Sequence, residues 1–194
     1  MKNYKSFILE AKTRGTRPVV MAFGRMNPPT TGHAKLVDKV RQLAQQHNAH
    51  HEVIVSHSQD PKKNPLTQAQ KIKHVKRYFP GVNITGSSKE QPNFLEHAKR
   101  LHQAGHDHLI VVAGSDRVKE YHKILHKYNG THEGALFNFK KISVVSAGSR
   151  DPDAEGTEGM SASKMREHAK KGNFSEFRKG VPSHVSDRHA KELY

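Results

Sequence analysis

The chain has 194 residues, a formal net charge of +15, 34% hydrophobic and 26% charged residues, and no cysteine. That length supports one domain with its own core, while the missing cysteines exclude disulfides, thiolate metal sites and cysteine nucleophiles. No run approaches the roughly 20 apolar residues of a membrane span, and the start, MKNYKSFILEAK, is too charged for a signal peptide. A soluble, cytoplasmic protein with no membrane partner is therefore expected. The positive field suits phosphate, nucleotides or nucleic acid. Lysine and arginine are spread along the whole chain, however, a pattern that does not favour nucleic acid.

Taken in order, residues 1–16 read as an N-terminal arm in which Tyr4, Phe7, Ile8 and Ala11 form one side of a short amphipathic helix. Pro18 to Phe23 is an apolar run stopped by Gly24, the pattern of a buried strand. A helix follows from Thr31 to about Gln46, with Leu36, Val40 and Leu43 on one face. Glu52 to Ser56 is a second strand. Thr67-x-x-Gln70 has the form of a capping box, opening a helix whose stripe is Ile72, Val75 and Phe79 and which ends at Pro80-Gly81. Val82 to Thr85 is a third strand, and Pro92 to Ala104 a helix carrying Leu95, Ala98 and Leu101. Leu109 to Ala113 is a fourth strand stopped by Gly114. Ser115 then caps a helix carrying Val118, Tyr121 and Leu125, and Ile142 to Ser146 is a fifth strand.

Alternating strands and helices predict an α/β fold, a Rossmann-like doubly wound parallel sheet of about five strands over 17–150. The loops starting at Gly24, Ser56, Gly114 and Ala147 should then meet on one edge, where such sheets bind ligands. From 151 to 194 the character changes. Asp151 to Gly159 is acidic and glycine-rich and reads as a mobile loop, followed by a helical C-terminal segment: Ser161 to Lys171, Asn173 to Lys179 and a last short helix after Ser183.

Two segments carry candidate chemistry. Gly24-Arg25-Met26-Asn27-Pro28-Pro29-Thr30-Thr31-Gly32-His33 runs from a strand end into a helix start, where backbone N–H groups and the helix dipole suit phosphate. His33 can donate to a phosphate oxygen, and Gly32 leaves room for a base or ribose near the backbone. Read alone, the same loop is equally a turn shaped by its prolines and glycines. Far downstream, Met160-Ser161-Ala162-Ser163-Lys164-Met165-Arg166 places hydroxyls and cations at another helix start, fit for a polyphosphate or for a capped surface helix.

Together they resemble the nucleotidylyltransferase superfamily. The first has the form of its (H/T)-x-G-H signature, with Thr30 and His33 at the two signature positions. Asn27-Pro28 is similar to the N-P of nicotinamide-mononucleotide adenylyltransferases. Met160 to Arg166 resembles the second signature, I-S-x-T-x-x-R, with Met for Ile and Ser for Thr. The resemblance spans about Pro18 to Val185. It implies an enzyme transferring AMP from ATP to a small phosphate-bearing acceptor with release of pyrophosphate, nicotinamide mononucleotide giving NAD being the nearest match. It further implies catalytic roles for His33, Thr30 and Arg166, and nucleotide-binding roles for Gly24, Arg25, Asn27, Gly32, Gly114, Asp116, Ser161 and Ser163. Asp116 sits in the family's G-x-D, near the ribose; it is equally a favourable charge at a helix start.

Lys62 and Lys63, after the second strand, are candidates for acceptor phosphate or else solvated loop lysines. Magnesium is expected to arrive bound to the triphosphate, with no protein metal site. The sixteen histidines, clustered at His47, His50 and His51 and at His97, His102, His106 and His108, read as helix-exterior and loop residues without metal-site spacing. The chain has no tryptophan for a pyridine ring. Phe94, Tyr78 or Phe79 is the expected substitute, and the acceptor stays open: phosphopantetheine, or cytidylyl transfer to a sugar or polyol phosphate, are alternatives. A basic nucleic-acid-binding module and a relative of class I aminoacyl-tRNA synthetases are more distant ones. The opening segment resembles the starts of tailed-phage proteins, and for a phage-encoded enzyme the compartment would be the host cytoplasm. A homo-oligomer is compatible with the sequence.

Overall fold

A computed structural model describes residues 16–148 and 160–194. The expected arm helix and the acidic loop lie outside the described residues. Five parallel strands form one sheet: β1 (Pro18–Gly24), β2 (His50–Val55), β3 (Ile84–Gly86), β4 (His108–Ala113) and β5 (Lys141–Ser146), in the order β3-β2-β1-β4-β5. Among the described residues seven α-helices accompany them: α1 (Ala34–Gln46), α2 (Gln68–Tyr78), α3 (Phe94–Gln103), α4 (Val118–Lys127), α5 (Ala162–Lys170), α6 (Phe174–Lys179) and α7 (Asp187–Leu193). This is the α/β architecture that the alternation predicts, with a helical C-terminal segment.

The central strands are apolar on both faces because both faces are covered. Val20, Ala22, Val53, Val55, Ile110 and Val112 point toward α1, α2 and the three C-terminal helices, where Met165, Phe177, Ala190 and Leu193 complete the layer. Val19, Met21, Ile54, Leu109 and Val111 point the other way, onto Ala98 and Leu101 of α3 and Tyr121 and Leu125 of α4. Strand order reverses between β1 and β4, so the crevice outside their carboxyl ends is the natural ligand site.

Several boundaries differ from expectation for identifiable reasons. β2 begins at His50 rather than Glu52, because β1 pairs with it from Val19↔His50 onward. β3 begins at Ile84 rather than Val82: Gly81, at φ +80°, and the Val82 N–H on the Phe79 carbonyl (3.4 Å) close a turn, and ladder pairing starts only after it. Thr31–His33 and Ser115–Arg117 are short 3-10 turns ahead of α1 and α4, so Ser115 lies inside a turn rather than capping a helix. Asn93, not Pro92, starts α3, its Oδ1 accepting from the N–H groups of Leu95 and Glu96. The Thr67 box does form, with Gln70 N–H on Thr67 Oγ1 (3.3 Å) and Thr67 N–H on Gln70 Oε1 (2.9 Å).

Three further expectations are corrected. Tyr78 and Phe79 are core residues, so neither can meet a ligand ring. His97 and His108 are buried rather than exterior: His97 lies 6.2 Å from the Phe23 ring, and His108 Nε2 pairs with Ser143 Oγ at 3.2 Å. On α2 it is Lys71 and His74 that are buried beside Val75, while Ile72 is only partly so.

Candidate active site

A pocket of about 710 Å³ opens at the carboxyl ends of β1 and β4, within the usual size of small-molecule sites. The loop after β1 forms its floor. Met26 takes a left-handed φ of +45° and turns its side chain into the core, strain of the kind a packed functional loop retains. The next residue, Asn27, is 2% exposed. Its Nδ2 donates to the Leu66 carbonyl (3.3 Å) and its Oδ1 accepts from the Leu66 N–H (3.1 Å).

Thr30 is 1% exposed and stands behind His33. Its backbone N–H donates to His33 Nδ1 at 3.0 Å, and its hydroxyl lies 3.1 Å from the same nitrogen. An Nδ1 that accepts carries no proton, so the neutral ring holds its proton on Nε2. His33 is in the pocket wall; Thr30 and Gly32 are not. Thr30 therefore acts on the pocket through His33.

The second wall is the start of α5. Ser161 caps it, Oγ accepting from the Lys164 N–H at 3.2 Å. The first-turn N–H groups of a helix have no partner within it, and Ser161, Ala162 and Ser163 all line the pocket. Arg166 joins the two walls, Nη1 donating to the Asn27 carbonyl (2.6 Å) and Nη2 to Ser163 Oγ (3.0 Å). Burial first, and then the charge of Arg25, lower the Arg166 pKa, with Asp60 opposing. Cations held this close are an arrangement that a bound anion relieves.

Below α5 the packing is tight. A Cβ on Gly180, after α6, would come within 2.5 Å of Met160 Cγ and Met165 Sδ. The Gly180 carbonyl accepts from the Thr31 N–H at 2.9 Å, tying α6 to the first loop.

The loop after β2 reaches the pocket through Lys63 and Asn64, but Lys62 is exposed and outside the wall. Asp60 shapes this loop. Its Oδ1 accepts from the N–H groups of Lys62 (3.0 Å) and Lys63 (2.7 Å) and its Oδ2 from the Asn64 amide, closing a tight turn. The backbone bond from Lys63 heads the contacts that hold the Asp60 pKa down at about 2. Beneath this loop the fully buried Lys71 donates Nζ to the carbonyls of Ser56 and Ser58. Burial alone lowers its pKa to about 8.

Gly114 and Asp116 follow β4 and line the pocket with Arg117. The aromatic side is Phe23, Phe94 and Tyr121, with Phe94 stacked on Tyr121 at 4.4 Å and 22°, and Arg117 5.6 Å from the Tyr121 ring. Of Phe94, Tyr78 and Phe79, only Phe94 lines the pocket. Among the described lining residues Asp116 is the one carboxylate, against Arg25, Lys63, Arg117 and Arg166. Sequence reasoning missed Phe23, Asn64, Arg117 and Tyr121. Phe23 carries a usable signal in its position next to Gly24, which ends β1, and Arg117 in following Asp116 in the turn after β4.

Comparison with known proteins agrees with this geometry. The family model for cytidylyltransferase-like proteins matches residues 21–168. No curated protein matches the chain significantly. Among solved structures, Plasmodium falciparum nicotinic acid mononucleotide adenylyltransferase, complexed with NaAD, superposes with a TM-score of 0.57 at 14% identity, covering 91% of this chain and 94% of that one. Thermotoga maritima TmcAL, bound with alpha-thio ATP, gives 0.54 at 11% identity, covering 92% of this chain but 55% of its own. At these identities the likeness is one of fold. The family match runs from the middle of β1 into α5 and so takes in both walls of the pocket; the chain belongs to the cytidylyltransferase-like family of nucleotidyltransferases.

Proposed function

We propose that the chain transfers AMP from ATP to the phosphate of a small acceptor, with a pyridine mononucleotide as substrate and a dinucleotide and pyrophosphate as products. The observation that carries this reading is the Arg166 bond to the Asn27 carbonyl, which seats the second motif against the first loop in the pocket of His33. An acceptor phosphate oxygen bonds to the α-phosphorus as the bond to the β-phosphate oxygen breaks. A phosphate monoester, with a second pKa of about 6, is largely ionised at neutral pH and needs no general base. What it needs is alignment and neutralisation of developing charge.

His33 Nε2–H donates to the α-phosphate, oriented by Thr30. Arg166, Ser161, Ser163 and the N–H groups opening α5 hold the β- and γ-phosphates, with Arg25 beside them. Asp116 accepts from ribose hydroxyls next to Gly114, and Lys63 meets the acceptor phosphate. Magnesium is taken to be carried by the triphosphate and its waters. A panel of ATP and CTP against nicotinamide mononucleotide, nicotinic acid mononucleotide, phosphopantetheine and polyol phosphates, read by pyrophosphate release, tests the proposal. Turnover with ATP and a pyridine mononucleotide is expected; a CTP-dependent reaction with a polyol phosphate, or no release with any pair, overturns it.

A further inference from the structure

Three segments bearing cations meet at Asn27: its own loop with Arg25, the loop of Lys63, and α5 with Arg166. We propose that Asn27 is a positioning residue, setting the register between the acceptor-side loop and the triphosphate-side arginine, and that it is not a nucleotide ligand. This rests on the reading of the pocket as a nucleotidyl-transfer site. The amide is buried, and both its oxygen and its nitrogen bond the backbone of one residue, Leu66. That is the pairing of a short β-bridge made by a side chain, and it satisfies two backbone groups that burial would otherwise penalise.

Lys63 lies three residues before Leu66 on a turn that Asp60 closes at its other end. Its place relative to Arg166 therefore passes through Asn27. The two connections differ in kind. Leu66 is held by the side chain, whereas Arg166 is held by the main-chain carbonyl, which any residue at position 27 supplies. Truncating the side chain consequently uncouples Lys63 and leaves the Arg166 acceptor in place.

The test compares Asn27→Ala, Asn27→Asp, Lys63→Ala and the Asn27→Ala/Lys63→Ala double variant. Magnesium-ATP binding is followed by calorimetry, nicotinic acid mononucleotide kinetics at steady state, and Leu66 amide exchange by NMR. Asn27→Ala should raise the acceptor KM roughly tenfold, within the usual range of coupled neighbours, while the magnesium-ATP Kd moves by less than about twofold and the Leu66 amide exchanges faster. Lys63→Ala should cost roughly tenfold in kcat/KM alone but under about twofold in the Asn27→Ala background. A tenfold weaker magnesium-ATP Kd in Asn27→Ala, unchanged Leu66 exchange, or fully multiplicative effects of the two substitutions each overturns the proposal. Asn27→Asp has the same size and keeps the acceptor for the Leu66 N–H, but it sets a second acceptor against the Leu66 carbonyl and adds negative charge among the pocket cations. If Asn27→Ala does not fold, Asn27→Asp decides: a raised acceptor KM together with faster Leu66 exchange supports the proposal, and an unchanged value of either overturns it. Should no acceptor turn over, the functional reading fails, and the calorimetry and amide exchange still decide the role of Asn27.

Discussion

His33 receives two contacts on one nitrogen, and that asymmetry sets what its substitutions should do. Because the Thr30 N–H occupies Nδ1, the neutral ring carries its proton on Nε2. Removing a donor to developing charge typically costs about 10² to 10³ in kcat. His33→Ala should fall in that range with an unchanged thermal melt, and a folded, fully active variant would remove His33 from the chemistry. Thr30→Val keeps the backbone N–H and loses only the hydroxyl, so its kcat should drop less than about tenfold. Arg166→Ala should raise the ATP KM by roughly 10- to 100-fold, the usual worth of a charged hydrogen-bond donor; an unchanged KM would sink that role. The presence of Gly24, His33, Ser161, Ser163 and Arg166 in one pocket is legible from sequence, since their types and local spacing carry the signal; Gly32, expected beside them, is outside the wall. That Lys63 rather than Lys62 lines the pocket is not, because adjacent lysines are alike in sequence and only the path of the folded turn separates them.

α5 is positioned by glycine as much as by its own cap. Its start lies over Gly180, where a single methyl would meet Met160 and Met165. Overpacking of this kind costs about 1–3 kcal/mol. Gly180→Ala should lose stability of that order in urea melts and raise the ATP KM by displacing Ser161 to Arg166; a variant with normal stability and KM would show that the methionines yield freely. The loop after β2 has the opposite support, a buried cation beneath it. Lys71 donates to two loop carbonyls and so ties the loop to α2. Helix periodicity places Ile72 on the buried stripe and cannot anticipate Lys71, because the reason for its burial lies in a loop fifteen residues earlier. Capping, by contrast, is written locally: Thr67, Ser161 and Asn173 each accept from the residue three positions on.

At the scale of the molecule, the fold is legible because apolar runs stopped by glycine alternate with amphipathic stretches, and few topologies accept that alternation. Buried histidines are the feature it leaves out. Burial is the largest influence on His74 and lowers its pKa to about 4, and burial likewise lowers His51, His97, His106 and His108. A histidine kept neutral by folding contributes stability above its unfolded pKa of about 6.5, and that stability is lost as pH falls toward the folded value. The melting temperature should therefore decline between about pH 6.5 and pH 4, and His74→Leu should flatten the decline. Glu192, lowered to about 2 chiefly by its bond from Lys73 and then by Arg77, keeps its contribution above the ordinary carboxylate range and loses it as pH falls through that range toward 2, so its window begins where the histidine window ends. A melt that is flat from pH 7 to 5 would count against the histidine account.

The Arg166 contact also bridges 139 residues of chain. Synthesis runs from one end, so all five strands and the first loop are made before any residue of α5. A chain that stops ahead of Ser161 carries the residues of the sheet and His33 but only one wall of the pocket. On the proposed function, capture of ATP then requires the chain through at least Arg166, and ATP capture by released chains of increasing length would date it.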